Sequence, residues 1–209
     1  MIPPWLLLPA SGRSAAPAAL VAALAERSSG QVAAPGGAVS GSRDLAAELV
    51  AELDRAGIGR AVGVGLSFGG QRTQALLQHH PQRVAGVVLV ASGAPDRARA
   101  AALARRRWLW RWSPRAARDA RERLLASDRD GADQPGAFAS FRAPVVVIEL
   151  GADAVIAKGE AARVRSLFPQ ARVERLAGLT HDAVVRPPPA LVAAVVAAVI
   201  AAAAAAAAD

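Results

Sequence analysis

The sequence predicts an α/β fold: a mostly parallel, open sheet of about six strands with helices on both faces and a short helical cap insertion. Three observations lead to this class. Strand-like and helix-like segments alternate along the chain, several strands are apolar at every position, and the alternation is interrupted once, between residues 93 and 142. Uniformly apolar strands are typical of a parallel sheet that helices cover on both sides.

The strands are recognised as short apolar runs that end at turn residues. The first run is Trp5-Leu6-Leu7-Leu8, which Pro9 closes, and the clearest one is the valine-rich stretch from residue 83 to residue 91. Runs of this length without polar positions indicate buried strands. In chain order, the expected strands are residues 5–8, 31–34, 61–65, 83–91, 144–150 and 172–176.

The helices follow from periodic apolar positions and capping residues. Ser42 or Asp44 is suited to cap a helix that presents Leu45, Leu49 and Leu53 on one face, at spacings of four residues. The other segments have helical composition between consecutive strands. The expected helices are residues 15–27, 42–55, 70–79 and 160–167, and a last helix that begins near residue 188.

Composition and charge exclude several classes of function. The chain has 209 residues, no Cys and three His, so thiol catalysis, disulfides and thiolate zinc sites are excluded and little remains for another metal centre. The formal net charge is +8, but residues 96–123 hold ten Arg against three acidic residues and account for +7 of it. A high positive charge reached through Arg in one segment is weak evidence for a nucleic-acid partner, so none is expected from the net charge.

The motif Gly65-Leu66-Ser67-Phe68-Gly69 lies where an expected strand passes into a helix. A G-x-S-x-G sequence in this context is a nucleophile elbow. Its turn is so sharp that the positions two residues before and after Ser67 must lack bulk, which Gly65 and Gly69 provide. The elbow lifts the Ser67 hydroxyl above the carboxyl ends of the strands, and it directs the Phe68 N–H at a developing oxyanion.

A serine nucleophile needs a base, and the base needs an acid that orients it. His181 lies in the loop after the last expected strand, and Asp153 follows the strand that ends at Leu150. The chain order Ser67, Asp153, His181 is the order found in α/β-hydrolases. His79 and His80 end the helix after the elbow, where a capping role is the simpler interpretation.

Three stretches of the chain resemble the α/β-hydrolase superfamily. Residues 61–95 (AVGVGLSFGGQRTQALLQHHPQRVAGVVLVASGAP) resemble the elbow, its helix and the next strand of that family. Residues 144–186 resemble the acid strand, the following helix and the histidine loop, and residues 6–12 resemble the oxyanion loop after the first central strand. The resemblance implies a serine hydrolase whose second oxyanion N–H belongs to Ser11 or Ala10.

The chain also departs from the family pattern. Pro9 and Ala10 replace the usual His-Gly of the oxyanion loop, and Leu150 stands where members often have Gly, three residues before the acid. Asp96, after the preceding strand, is therefore the alternative acid, since some members place it there. The usual N-terminal hairpin is missing, which suggests a compact or N-terminally shortened member.

Residues 95–142 are interpreted as a cap insertion, and residues 1–94 and 143–209 as the hydrolase core. Within the cap, residues 105–112 read Arg-Arg-Arg-Trp-Leu-Trp-Arg-Trp. This mixture fits three roles: the helical wall of a substrate pocket, which the hydrolase pattern favours, a lid in weak contact with an anionic membrane, or nucleic-acid binding.

Neither end of the chain predicts a membrane segment. Residues 190–208 carry no charge, but much of this stretch is Ala, so a final helix packed on the sheet is expected rather than an anchor. The N-terminus has no positive charges before its apolar run, so no signal peptide is predicted and a cytoplasmic location is expected.

The sequence therefore predicts a Ser67-His181-Asp153 hydrolase that cleaves a small or medium carboxylic ester without a metal or organic cofactor. Thioesters, amides and C–C bonds next to ketones are alternatives that the same fold accepts. The alternative from another class is a non-catalytic α/β-hydrolase-like protein that binds an anionic surface or partner through residues 105–112. The oligomeric state is left open by the sequence.

Overall fold

A six-stranded, entirely parallel sheet forms the centre of the molecule, with strand order β2-β1-β3-β4-β5-β6. The computed structural model describes residues 3–10, 16–33, 42–93, 138–156 and 159–206. The strands are β1 (Trp5–Leu8), β2 (Gly30–Val32), β3 (Ala61–Leu66), β4 (Val84–Val90), β5 (Val145–Leu150) and β6 (Arg172–Leu176). The fold class predicted from the sequence is confirmed.

Five helices cover the two faces of the sheet in the described part of the chain. They are α1 (Ala18–Ala25), α2 (Ser42–Arg55), α3 (Phe68–His79), α4 (Glu160–Leu167) and α5 (Pro189–Ala206), with 3-10 turns at Pro81–Arg83 and His181–Val184. Apolar side chains of α2, α3 and α4 share one core cluster, and those of α1 and α5 share the other. Each face of the sheet thus has its own buried layer.

The sheet is most deeply buried at its centre, where β3 and β4 pair. Every residue of these two strands is buried, as the uniformly apolar sequence predicts. The edge strands differ: β2 is three residues long and half-buried, and β6 has two exposed and three half-buried positions. Short or polar edge strands limit pairing with other chains.

The order of the strands reverses between β1 and β3. From β1 the chain passes through α1 on one face to β2, whereas β3 continues through α3 on the opposite face to β4. Consecutive helices therefore diverge at the carboxyl ends of these two neighbouring strands. In open α/β sheets, ligands bind in the crevice that such a reversal creates.

The insertion predicted between β4 and β5 lies mostly outside the described residues, and so does the Arg- and Trp-rich stretch 105–112. Its last residues pack into the core: Phe138 is 4% exposed and stacks on Phe168, with ring centroids 4.8 Å apart. The division into core and cap stays a prediction. Among the described helices, none is both long and apolar enough to span a membrane.

Candidate active site

Ser67 occupies a strained turn between β3 and α3. Its backbone φ is +51° and its ψ is −116°, which is uncommon for a residue with a Cβ atom. The Ser67 N–H donates a hydrogen bond of 2.8 Å to the carbonyl oxygen of Val90 at the end of β4, so the turn is anchored to the neighbouring strand. The α3 helix begins at the next residue, two positions earlier than the sequence predicts.

The glycines of the elbow are required by close contacts. A Cβ atom at Gly65 would lie 2.6 Å from the Gly70 backbone nitrogen and 2.7 Å from the Thr73 hydroxyl. A Cβ atom at Gly69 would overlap the Leu8 carbonyl oxygen at the end of β1. The lack of bulk expected at both positions is therefore met, and at Gly69 the crowding comes from the strand next to β3.

His181 reaches the serine from the turn that follows the edge strand β6. It opens the 3-10 turn His181–Val184, which follows β6, and its Nε2 lies 2.9 Å from the Ser67 Oγ. The side chain is 19% exposed, so the ring is largely shielded while one edge faces the serine. Residues that are 114 positions apart in the chain are thus within hydrogen-bond distance.

Asp153 completes a chain of hydrogen bonds behind the histidine. Its Oδ2 lies 2.7 Å from His181 Nδ1, and its Oδ1 accepts hydrogen bonds of 2.7 and 2.9 Å from the N–H groups of Val155 and Ile156. Burial opposes ionisation of this carboxyl, but the hydrogen bonds from His181 and the two N–H groups outweigh it and lower the pKa of Asp153. The side chain is therefore held as a carboxylate in one orientation.

The loops that carry Asp153 and His181 are joined to each other. The N–H of Gly151 donates to the Leu176 carbonyl at 2.8 Å, and the N–H of Ala152 donates to the Leu179 carbonyl at 2.9 Å. A Cβ atom at Gly151 would lie 3.1 Å from Ala177 Cα, which is tighter than an ordinary contact. The glycine two residues before the acid, a departure from the family pattern, thus permits the two loops to approach.

The residues predicted to bind an oxyanion lie in two neighbouring segments. Phe68 is the first residue of α3, where backbone N–H groups have no acceptor within their own helix. Ala10 is half-buried and follows Pro9, whose carbonyl oxygen would be 2.7 Å from a Cβ atom at Gly69. The segment after β1 is therefore packed against the start of α3, while Ser11 lies outside the described residues.

The remaining candidates have other positions. Asp96, the alternative acid, lies outside the described residues. The ring of His79 is 2.9 Å from the Ser42 hydroxyl, so it links the end of α3 to the beginning of α2, a contact that the capping interpretation did not anticipate. His80 follows α3 as its C-cap residue.

Sequence reasoning missed several residues that shape the elbow and the acid loop. Thr73 donates a 3.0 Å hydrogen bond to the Gly69 carbonyl from inside the first turns of α3. The N–H groups of Val155 and Ile156 fix Asp153, and a carboxylate that accepts from residues two and three positions ahead is a common turn pattern that the sequence could have suggested. A cavity of about 340 Å³ adjoins the Asp153 loop and is bordered by Asp153 and Ser92.

Metal ligands do not cluster in the part of the chain that the structure describes. Within residues 3–10, 16–33, 42–93, 138–156 and 159–206, no three His, Asp or Glu side chains are placed to hold a metal ion. The groups that the described site brings together are a hydroxyl, an imidazole and a carboxylate.

The comparison with solved structures supports the fold. BpoC from Mycobacterium tuberculosis H37Rv matches with a TM-score of 0.72 and 18% identity, over 96% of this chain and 92% of BpoC. A carboxylesterase structure from the thaumarchaeon Nitrososphaera gargenis matches with a TM-score of 0.68 and 14% identity, over 93% and 89% of the two chains. The esterase RhEst1 from Rhodococcus sp. ECU1013 gives a TM-score of 0.64 and 20% identity, over 94% and 90%.

The comparison of sequences supplies the family. No curated protein sequence matches the chain. The family model described as alpha/beta hydrolase fold, however, matches residues 8–135, a span that begins at the end of β1 and includes the nucleophile elbow. Because this match covers more than half of the chain, the protein belongs to the alpha/beta hydrolase fold family.

Proposed function

We propose that this protein is a serine hydrolase that cleaves a carboxylic ester through an acyl-enzyme. The observation that carries the proposal is the continuous chain of hydrogen bonds from Ser67 Oγ to His181 Nε2 at 2.9 Å and from His181 Nδ1 to Asp153 Oδ2 at 2.7 Å. A serine, a base and an orienting carboxylate in this order are what nucleophilic acyl transfer requires.

In the first half of the reaction, Ser67 Oγ attacks the ester carbonyl carbon while its proton passes to His181 Nε2. The Asp153 carboxylate accepts the Nδ1–H, which leaves Nε2 free to take that proton, and it stabilises the imidazolium that forms. The carbonyl oxygen becomes an oxyanion. When the tetrahedral species collapses, the bond between the acyl carbon and the ester oxygen breaks, and His181 gives the proton to the leaving alkoxide, which departs as the alcohol.

In the second half, a water molecule hydrolyses the acyl-enzyme by the same steps. The water oxygen attacks the acyl carbon while His181 takes a proton from the water, and His181 returns that proton to Ser67 Oγ when the carboxylic acid leaves. We assign the oxyanion N–H groups to Phe68 and to either Ala10 or Ser11. Removal of one such donor lowers turnover by about 100-fold to 1,000-fold in related mechanisms.

The substrate class is proposed on fold and site together. Two of the structural neighbours are described as a carboxylesterase and an esterase, and the site proposed here has the groups that ester cleavage needs. A small-molecule acyl substrate is therefore the expected partner. The cytoplasmic location expected from the sequence is part of the same proposal, and cell fractionation would test it.

Labelling with a fluorophosphonate tests the proposal directly, because the reagent forms a covalent adduct only with an activated serine. We expect one adduct by intact mass on the wild-type protein and none on Ser67→Ala. The matched control is Ser140→Ala, since Ser140 is exposed and precedes β5 at the opposite end of the sheet. A panel of esters, thioesters and amides would then rank the bonds that the enzyme cleaves.

A folded wild-type protein that forms no adduct would refute the hydrolase proposal. Circular dichroism would establish the folding. The alternative to examine would then be binding through residues 105–112, and salt-sensitive association with vesicles that contain anionic lipids would support it.

A further inference from the structure

The side chain of Gln74 joins the first turn of α3 to the segment that follows β4. Its Nε2 donates one hydrogen bond of 3.2 Å to the Gly70 carbonyl and another of 3.2 Å to the Gly93 carbonyl. Gly70 is the third residue after the nucleophilic serine, and Gly93 is the third residue after the end of β4. We call this pair of hydrogen bonds the Gln74 bridge.

The chemistry of the bridge allows one orientation of the amide. Both partners are carbonyl oxygens, which only accept, so the NH2 group of Gln74 must face them, and a rotated amide would place oxygen against oxygen. Gln74 is 1% exposed and its bond to the Gly70 carbonyl is buried, whereas the bond to the half-buried Gly93 is partly buried. Among the described residues its Oε1 has no hydrogen-bond partner, so the hydrogen bonds of the side-chain amide described here are both made by its NH2 group.

The segment held by the bridge has an unusual backbone conformation. Ala91, the first residue after β4, has a φ of +45°, and its N–H donates to the Ile148 carbonyl at 2.9 Å. A residue with a Cβ atom adopts this conformation only when its surroundings impose it. The Ser92 side chain packs directly against Gly70, since a Cβ atom at Gly70 would overlap the Ser92 hydroxyl.

The two strained turns, at Ser67 and at Ala91, lie side by side. The hydrogen bond from the Ser67 N–H to the Val90 carbonyl connects them at one end, and the Gln74 bridge connects the segments that follow them at the other. The elbow and the segment after β4 are therefore tied at two points, and a shift of one would displace the other.

We propose that Gln74 is a positioning residue that holds the nucleophile elbow against the segment after β4, and thereby fixes the direction of the Ser67 hydroxyl and the Phe68 N–H. This inference rests on the proposed hydrolase function for its effect on rate, but the bridge itself is a structural claim. Gln74 touches neither Ser67 nor His181 in the hydrogen bonds described above, so it acts through the backbone.

Gln74→Met and Gln74→Glu test the proposal against a role in packing alone. Methionine has similar length and fills the same space but donates nothing, and glutamate keeps the shape but presents a carboxylate to two carbonyls. We expect both variants to lower the rate of fluorophosphonate labelling by between about 10-fold and 100-fold, as a misplaced reacting group does. With p-nitrophenyl acetate, kcat should fall by the same factor while KM stays within about threefold.

Gln78→Met is the matched control, since Gln78 lies one turn later on the same helix and further from the serine. Its labelling rate should equal that of the wild type. A Gln74→Met variant that labels and turns over like the wild type, with only its thermal stability changed, would mean that Gln74 packs but does not position the site.

Hydrogen exchange separates this inference from the proposed function. In Gln74→Met, the amides of residues 91–93 should exchange at least about tenfold faster than in the wild type, while those of α5 are unchanged. If the wild type does not react with fluorophosphonate, the hydrolase proposal fails and the exchange result still decides the bridge. Unchanged exchange at residues 91–93 would overturn it.

A measurement on the wild type covers the case in which neither variant folds. By NMR, the side-chain NH2 protons of Gln74 should exchange with water much more slowly than those of Gln82, which is exposed in the turn before β4. Equal exchange rates for the two amides would mean that the bridge does not exist in solution.

Discussion

Replacement of Asp153 by Asn should leave the site intact in shape but reverse the hydrogen bonding of His181. The carboxylate now accepts three hydrogen bonds: from the N–H groups of Val155 and Ile156 at 2.7 and 2.9 Å, and from His181 Nδ1 at 2.7 Å. An asparagine has one acceptor oxygen. Because two backbone N–H groups already face the Oδ1 position, that oxygen will stay there and the NH2 group will face the ring.

An NH2 group at that position favours the tautomer of His181 in which Nδ1 accepts and Nε2 carries the proton. Such a ring donates to Ser67 Oγ and cannot remove its proton. The same exchange in a serine-protease triad lowers kcat by about 10,000-fold, and we expect a loss of about 1,000-fold to 10,000-fold here. The assays are fluorophosphonate labelling rate and kcat for p-nitrophenyl acetate.

Asp182→Asn is the control, because Asp182 adjoins the histidine in sequence but its side chain is exposed. It should retain activity within about twofold, as expected for a surface substitution away from the reacting groups. Activity of Asp153→Asn within about tenfold of the wild type would refute the reasoning on the tautomer. Asp96→Asn would then be the variant to measure, since Asp96 is the alternative acid in the sequence.

Three further predictions concern the elbow, the acid and the core. Gly69→Ala forces a Cβ atom into the carbonyl oxygen that ends β1, so it should destabilise the protein by about 1–3 kcal/mol in urea unfolding and abolish fluorophosphonate labelling. Gly59→Ala is the control and should do neither, because the space around Gly59 is open. The pKa of Asp153 is lower in the folded than in the unfolded chain, so the ionised carboxylate stabilises the fold above about pH 4 and this contribution is lost as the pH falls below that value. The difference in the free energy of unfolding between the wild type and Asp153→Asn should therefore shrink as the pH is lowered below about 4. Phe138→Ala removes the ring stacked on Phe168 and should cost about 3–5 kcal/mol in the same unfolding assay, without change in the labelling rate of the folded protein.

The strands could be predicted because burial on both faces leaves a direct mark on the sequence. The apolar runs predict the bounds of β1, β3 and β5 within one residue, and those of the weaker β2 within two. The beginning of α3 was missed by two residues for a physical reason. Gly69 and Gly70 have low helix propensity, but the sharp turn at Ser67 starts the helix immediately and the close contact with β1 requires the glycines.

The approach of Ser67, Asp153 and His181 to one another could be anticipated from their positions after strands, with Asp96 left open as the alternative acid. Each follows a strand, and the carboxyl ends of parallel strands share one edge of the sheet. The supporting contacts could not be anticipated in this way. Gln74 is one of several glutamines on α3, and its two carbonyl partners belong to segments that only the packing of α3 on β4 brings together.

The position of the strained residues explains why the site lies where it does. The two non-glycine residues with positive φ in the described chain, Ser67 and Ala91, both come directly after central strands that are buried throughout. Strain of this kind persists only where the surrounding structure is rigid enough to impose it. The buried centre of the sheet supplies that rigidity, whereas the short β2 and the half-exposed β6 could not. Ser67 therefore stands at the end of a central strand that is buried throughout, while Asp153 and His181 approach it from the loops after β5 and β6. The buried central strands and the hydrogen-bonded loops together hold Ser67, His181 and Asp153 in one chain of hydrogen bonds.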